Sequence, residues 1–194
     1  MEFLAGYLAL GLVAGFVAGL LGVGGGLIMV PVLVWMFEAQ GVSQHAMHLA
    51  LGTSLASILF TSISSLRAHH RHGAVDWNLV RRITPGIFFG TLSGAWLAAF
   101  IPSRPLKIFF VAFLFYAALQ MMLNIKPRPH RELPGHLGLF GAGSLIGAVS
   151  SWVGIGGGTL SVPFQVWCNV SFHRAVGTSA AIGFPIALAG ALGY

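Results

Sequence analysis

Gly22-Val-Gly-Gly-Gly26 lies inside a run from Phe3 to Phe37 that carries no charged residue, and it returns as Gly154-Ile-Gly-Gly-Gly158. Four glycines in five positions cannot hold a rigid helical turn, since each costs roughly 1 kcal/mol against alanine in a helix interior. Phe3 to Phe37 would be about 52 Å long as one helix at 1.5 Å per residue, against a hydrocarbon core of about 30 Å. The run must therefore tilt strongly, break or turn back. In hydrocarbon, broken backbone is tolerated only where protein buries it or where it lines a water-filled cavity. A Gly-interrupted apolar segment that occurs twice points to a transporter binding site.

Composition sets the class. The chain has 194 residues, 56% hydrophobic and 7% charged, with a mean hydropathy of +0.86. A soluble domain carries about 25% charged residues, so the fold class is all-α integral membrane protein. The net charge of +6 falls between hydrophobic runs, which suits topology determinants and argues against nucleic acid as a partner. One cysteine, Cys168, excludes an internal disulfide and argues against a thiolate metal site. The N-terminal run is too long for a signal peptide and has no basic start, so it reads as mature structure.

Taken in order, half-helices are expected near 4–21 and 27–37, with Pro31 close to the start of the second. A second element covers His45 to Leu66 and carries Gly52-Thr-Ser54. A basic loop follows, from Arg67 to Arg82. A third span runs from Ile83 to Ile101, with Gly86, Gly90 and Gly94 at four-residue spacing, a face on which helices pack closely. A fourth covers Leu106 to Ile125, and residues 126–136 form a linker with three prolines.

After the linker the pattern restarts. Shifted by 132 positions, Gly22, Gly24, Gly25, Gly26, Pro31 and Trp35 fall on Gly154, Gly156, Gly157, Gly158, Pro163 and Trp167. Shifted by 125, His48 and Gly52-Thr-Ser54 fall on His173 and Gly177-Thr-Ser179. The organisation expected is a first repeat over 1–125, a cytoplasmic linker over 126–136 and an incomplete second repeat over 137–194. Counterparts of the third and fourth spans are missing, so the backbone of Gly154–Gly158 is expected to stand open to lipid unless a second copy or partner helices cover it.

The candidate site follows from the breaks. Gly24, Gly25, Gly26, Gly156, Gly157 and Gly158 would leave backbone N–H groups unpaired at the start of half-helices, where about half a positive charge binds anions without a cationic side chain. The competing reading is close packing alone; repetition favours the substrate-facing one. Thr53, Ser54, Thr178 and Ser179 can donate to the same anion, or bond back to their own helices. His48 and His173 occupy matched positions and are candidates for proton coupling, since no Asp or Glu lies within a span; interfacial residues at helix starts are the blander reading. His69, His70 and His72 read as a solvated basic surface, with no metal site. No nucleophile elbow, acidic pair or nucleotide-binding context is present, so no enzymatic activity and no cofactor is expected. Leucine at Gly25 or Gly157 is expected to abolish transport while leaving insertion largely intact.

The pairing of GLLGVGGGLIMVP with LGTS, and of SWVGIGGGTLSVP with VGTS, resembles the TauE/SafE sulfite and sulfonate exporter family over essentially the whole chain. The resemblance implies a multi-pass permease of the bacterial inner membrane that moves small sulfur-containing or related organic anions. It also implies a complete second half, against which this chain is short and looks truncated in its second repeat. A passive anion channel, and a truncated non-transporting paralogue or assembly partner, are the other functional readings.

Two topologies compete. If the Gly-broken segments cross the membrane, the repeats are parallel. If they are re-entrant, the repeats are inverted and Arg174 lies inside, as the positive-inside rule prefers. The balance favours inverted repeats.

Overall fold

Each long apolar run becomes helix, because a backbone in hydrocarbon must satisfy its own N–H and C=O groups within the segment. The structure, a computed structural model, describes residues 2–21, 25–123 and 132–194. Among them are eight helices: α1 (Glu2–Leu21), α2 (Gly26–Ala39), α3 (Ala46–Arg71), α4 (Trp77–Ala98), α5 (Ser103–Met122), α6 (His136–Val153), α7 (Gly158–Trp167) and α8 (Phe172–Gly193). The six expected elements are present, the first and fifth each as a helix pair. Gly24, and residues 126–131 of the linker, lie outside the described residues.

Some boundaries move. The basic stretch from Arg67 is helical to Arg71, and α4 begins at Trp77, so the expected loop of 67–82 shrinks to His72–Asp76. The reason is strong capping at both ends. Gly73 takes φ +64° while the Ala74 N–H donates to the His69 carbonyl at 3.1 Å, closing α3. Asp76 then accepts from the N–H groups of Asn78 and Leu79, starting α4. Pro31 and Pro163 sit inside α2 and α7, not at their first positions.

Close approaches fix the helix directions. Gly52 meets Tyr194, Leu55 meets Gly190 and Ser62 meets Gly183, so α3 and α8, matched elements of the two repeats, run antiparallel. Gly86 meets Phe140, Gly90 meets Ser144 and Gly94 meets Ala148, so α4 and α6 run parallel. Asp76 meets Thr178 while Ala95 meets Gly193, so α4 also runs parallel to α8. Helices α6 and α8 therefore point the same way, and α7 between them must return to the side where α6 began. The segment α6–α7 is a re-entrant hairpin. Helices α1 and α2 form another: Gly6 and Tyr7 of α1 lie beside Met36 and Phe37 of α2, and Gln40 Nε2 donates to the Tyr7 hydroxyl at 2.8 Å. The repeats are inverted.

The small-residue face of α4 does what its spacing predicts. A Cβ on Gly86 or Gly90 would overlap the carbonyls of Phe140 or Ser144, and one on Gly94 would lie 2.8 Å from the Ala148 Cα. Gly143 and Gly147 of α6 reciprocate against Ile83 and Ile87. This is the most extensive helix pair in the molecule. It joins a helix of the first repeat to the second.

Charge sorts by end. Arg67, Arg71, Arg81, Arg82 and Arg174 lie where α3 ends and α4 and α8 begin. Among the described residues, Arg104 and Lys107 alone of the Lys and Arg belong to the opposite end, where Lys107 pairs with Glu38. The positive-inside rule places the richer end in the cytoplasm.

The second break is not open. Gly154, Ile155 and Gly157 are buried, and Gly156 and Gly158 are half-buried. Val30 of α2 and Leu51 of α3 press on Gly154, while α4 packs along α6 and α8. Helices of the first repeat wall the motif that the missing spans were expected to wall.

Candidate functional site

The candidate site is the turn of the α6–α7 hairpin. Helix α6 ends in a Schellman arrangement: Gly154 adopts φ +68°, and the Ile155 N–H donates back to the Ser150 carbonyl at 3.1 Å. Gly157, at φ +79°, then caps α7, and its carbonyl accepts from Leu160 and Ser161 at 3.1 and 2.8 Å. Two left-handed residues reverse the chain in the bundle interior. Gly156 faces Ile58 and Gly183, the midpoints of α3 and α8, so the reversal lies level with the middle of both helices.

The first break meets the second here. A Cβ on Gly26 would overlap the Gly154 carbonyl, so the two hairpins enter from opposite ends and touch at their turns. Gly25 caps α2, and its carbonyl accepts from Ile28 and Met29 at 3.2 and 2.9 Å.

Several donors around the second turn lack an acceptor. Among the described residues, the N–H groups of Gly156, Gly157 and Gly158 have no hydrogen-bond partner. Ser150 Oγ, fully buried and also without a partner, lies 3.7 Å from where a Gly157 Cβ would stand. Ser179 Oγ lies 3.6 Å from the corresponding point on Gly158. It accepts from Ser161 Oγ at 2.7 Å, which leaves its own proton to give. One turn along α7 from Ser161, Gln165 is 0% exposed with neither amide atom paired. A buried polar group left unpaired costs about 1–3 kcal/mol, and neutral donors pointing at nothing suit an anion arriving without a counter-charge. Among the described residues no Lys, Arg, Asp or Glu is buried.

The other residues singled out from sequence are placed elsewhere or already occupied. Ser54 Oγ donates to the Gly154 carbonyl at 2.8 Å, so it holds the reversed chain. Thr53, one position away on α3, is exposed. Thr178 Oγ1 accepts from the Asp76 N–H at 3.0 Å, tying α8 to the start of α4 at the basic end. His48 Nε2 lies 3.0 and 3.1 Å from the carbonyls of Ala98 and Ile101, bridging the start of α3 to the end of α4. His173 is exposed on the first turn of α8. Inversion sends these matched histidines to opposite ends, and neither reaches the turn. His70 Nδ1 accepts from Trp77 Nε1 at 3.2 Å, and the described residues hold no group of three metal-ligating side chains.

Leucine at Gly157 would not be a clean probe of transport. The residue needs positive φ, and its Cβ would strike Ile186 Cδ1. Gly158 has room.

Sequence reading missed Ser150, Ser161 and Gln165. The signal was present at the same offset of 132: Ser161 and Gln165 of α7 stand where α2 has Met29 and Leu33.

The model of the family described as sulfite exporter TauE/SafE matches residues 7–194. The chain belongs to that family. It is 36% identical over 191 residues to a probable membrane transporter protein of Haemophilus influenzae, covering 96% of this chain and 72% of that protein. The probable membrane transporter proteins YunE and YdhB of Bacillus subtilis are 29% and 27% identical, over 95% and 93% of this chain and 76% and 74% of their own lengths. No solved structure gives a significant match. As a TauE/SafE protein the chain is a membrane transporter by family.

Proposed function

We propose that this protein is a multi-pass carrier of the bacterial cytoplasmic membrane that moves small oxyanions, sulfite or organosulfonates among them, and catalyses no reaction. The reading rests on one observation: buried and half-buried uncharged donors from Gly156–Gly158, Ser150 and Ser179 gather at a chain reversal in the bundle interior. Backbone N–H groups at a helix start, with the helix dipole behind them, favour a bound anion. With no buried cation beside them, the anion can also leave. The family match supports membrane transport, and the sulfur oxyanion class comes from the family description alone.

The test is flux of a panel of labelled anions (sulfite, sulfate, a short organosulfonate, chloride) in proteoliposomes. Saturable, gradient-driven movement of an oxyanion is expected, whereas unsaturable flux would make the protein a channel. Gly158→Val should keep the fold, because a Cβ there meets only Ser179 Oγ, yet it should raise KM at least tenfold by placing methyl groups over the donors. Unchanged KM and rate in a folded Gly158→Val protein would refute the turn as the binding site.

A further inference from the structure

The two hairpins share a plan but not a polarity. Ser161 and Gln165 line one face of α7, where α2 has Met29 and Leu33 at matched positions. Gln165 is wholly buried, and neither Oε1 nor Nε2 has a partner. An amide held this way either destabilises the fold for no return or awaits a guest.

Its position indicates the guest. Helix α7 runs from the turn toward the basic end, antiparallel to α8, with Ser161 opposite Ser179. In that register Gln165, four residues further along α7, lies level with Ala175 in the first turn of α8. Positive potential concentrates there, from the α8 N-terminus and from Arg174. Gln165 is about 10 Å along the helix from Gly158, too far for one small oxyanion to touch both.

Resting on the reading of the turn as an anion site, we propose that Gln165 forms a second anion station between the turn and the basic end, absent from the other half of the molecule. Its Nε2 donates to an oxygen of the passing oxyanion, and the Ser161–Ser179 pair hands the anion on to the backbone donors. The path is one-sided: polar from the turn to the cytoplasmic face, apolar along α2 to the opposite face. An anion presented at the basic end therefore meets a station that one presented at the other end does not.

Oriented proteoliposomes separate the two faces. Gln165→Leu should raise KM for sulfite at least fivefold from the face bearing Arg67 and Arg71, and leave KM from the opposite face within twofold. Gln165→Asn should restore part of that loss. Thermal unfolding provides the control against a structural role: because the Gln165 side-chain amide makes no bond within the protein, Gln165→Leu should melt at or above the wild-type temperature. A lower melting temperature with equal losses from both faces would overturn the proposal and make Gln165 a packing residue. Unchanged KM on both faces, in a protein where Gly158→Val still raises KM, would overturn it while leaving the turn as the binding site. Unchanged flux in Gly158→Val as well would remove the reading beneath it.

Discussion

Ser54 shows how a residue chosen for one task can be committed to another. Its hydroxyl was a candidate donor to the anion, and it is already spent on the Gly154 carbonyl at 2.8 Å. Ser54→Ala should therefore act on stability. It leaves a buried carbonyl unpaired, at about 1–3 kcal/mol, and should lower the melting temperature in detergent, while Thr53→Val beside it should leave that temperature unchanged. A Ser54→Ala protein that melts like wild type would show that the carbonyl finds another donor. Adjacent positions of the motif thus differ in kind, because a helix turns 100° per residue and presents each to a different neighbour. Sequence pairing found the repeated motif; it carried no information on which hydroxyl faced inward.

Among the elements, α4 was the most legible and the α6–α7 turn the least. Gly86, Gly90 and Gly94 announced a packing face, and each glycine meets α6 backbone. Gly90→Ala should be severe for that reason, since overpacking costs about 1–3 kcal/mol and here the obstacle is main chain. Gly11→Ala, on a part of α1 where a Cβ meets nothing within 4 Å, should be neutral or gain about 0.5–1 kcal/mol of helix propensity. Comparing yields of folded protein from the two variants checks both statements; equal yields would mean α4 and α6 are not apposed as described. Both breaks were visible as glycine content, and the half-helices beside the first, expected near 4–21 and 27–37, are Glu2–Leu21 and Gly26–Ala39. Ser150 and Gln165 stayed hidden because each looks unremarkable in its own segment. The fold gives them meaning by leaving their side-chain polar atoms without a partner.

For the whole molecule, inversion makes a labelling prediction. Single cysteines at Arg71, Arg174 and Arg104, in a background lacking Cys168, should divide two against one: the first two modified from the cytoplasm, the third from outside. Parallel repeats would place Arg174 with Arg104, and labelling of that kind would overturn the topology. The expectation of an open second motif failed at this scale too. It treated each repeat as the unit that buries its own break, whereas α4 of the first repeat packs on α6 and α8 of the second. Counting spans per repeat could not reveal that exchange.

That exchange also has a consequence for biosynthesis. The ribosome completes α4 at Ala98 but does not complete α6 until Val153. At roughly 5–20 residues per second, the glycine face of α4 waits roughly 3–11 s for the surface it is shaped to meet. Through that interval a nascent chain holds an unpaired helix among lipids or against the insertion machinery, and a wrong neighbour could seize its small-residue stripe. Quality control of this protein is thus set by timing: the interval between two helices is when a correctly encoded chain is most exposed to being discarded.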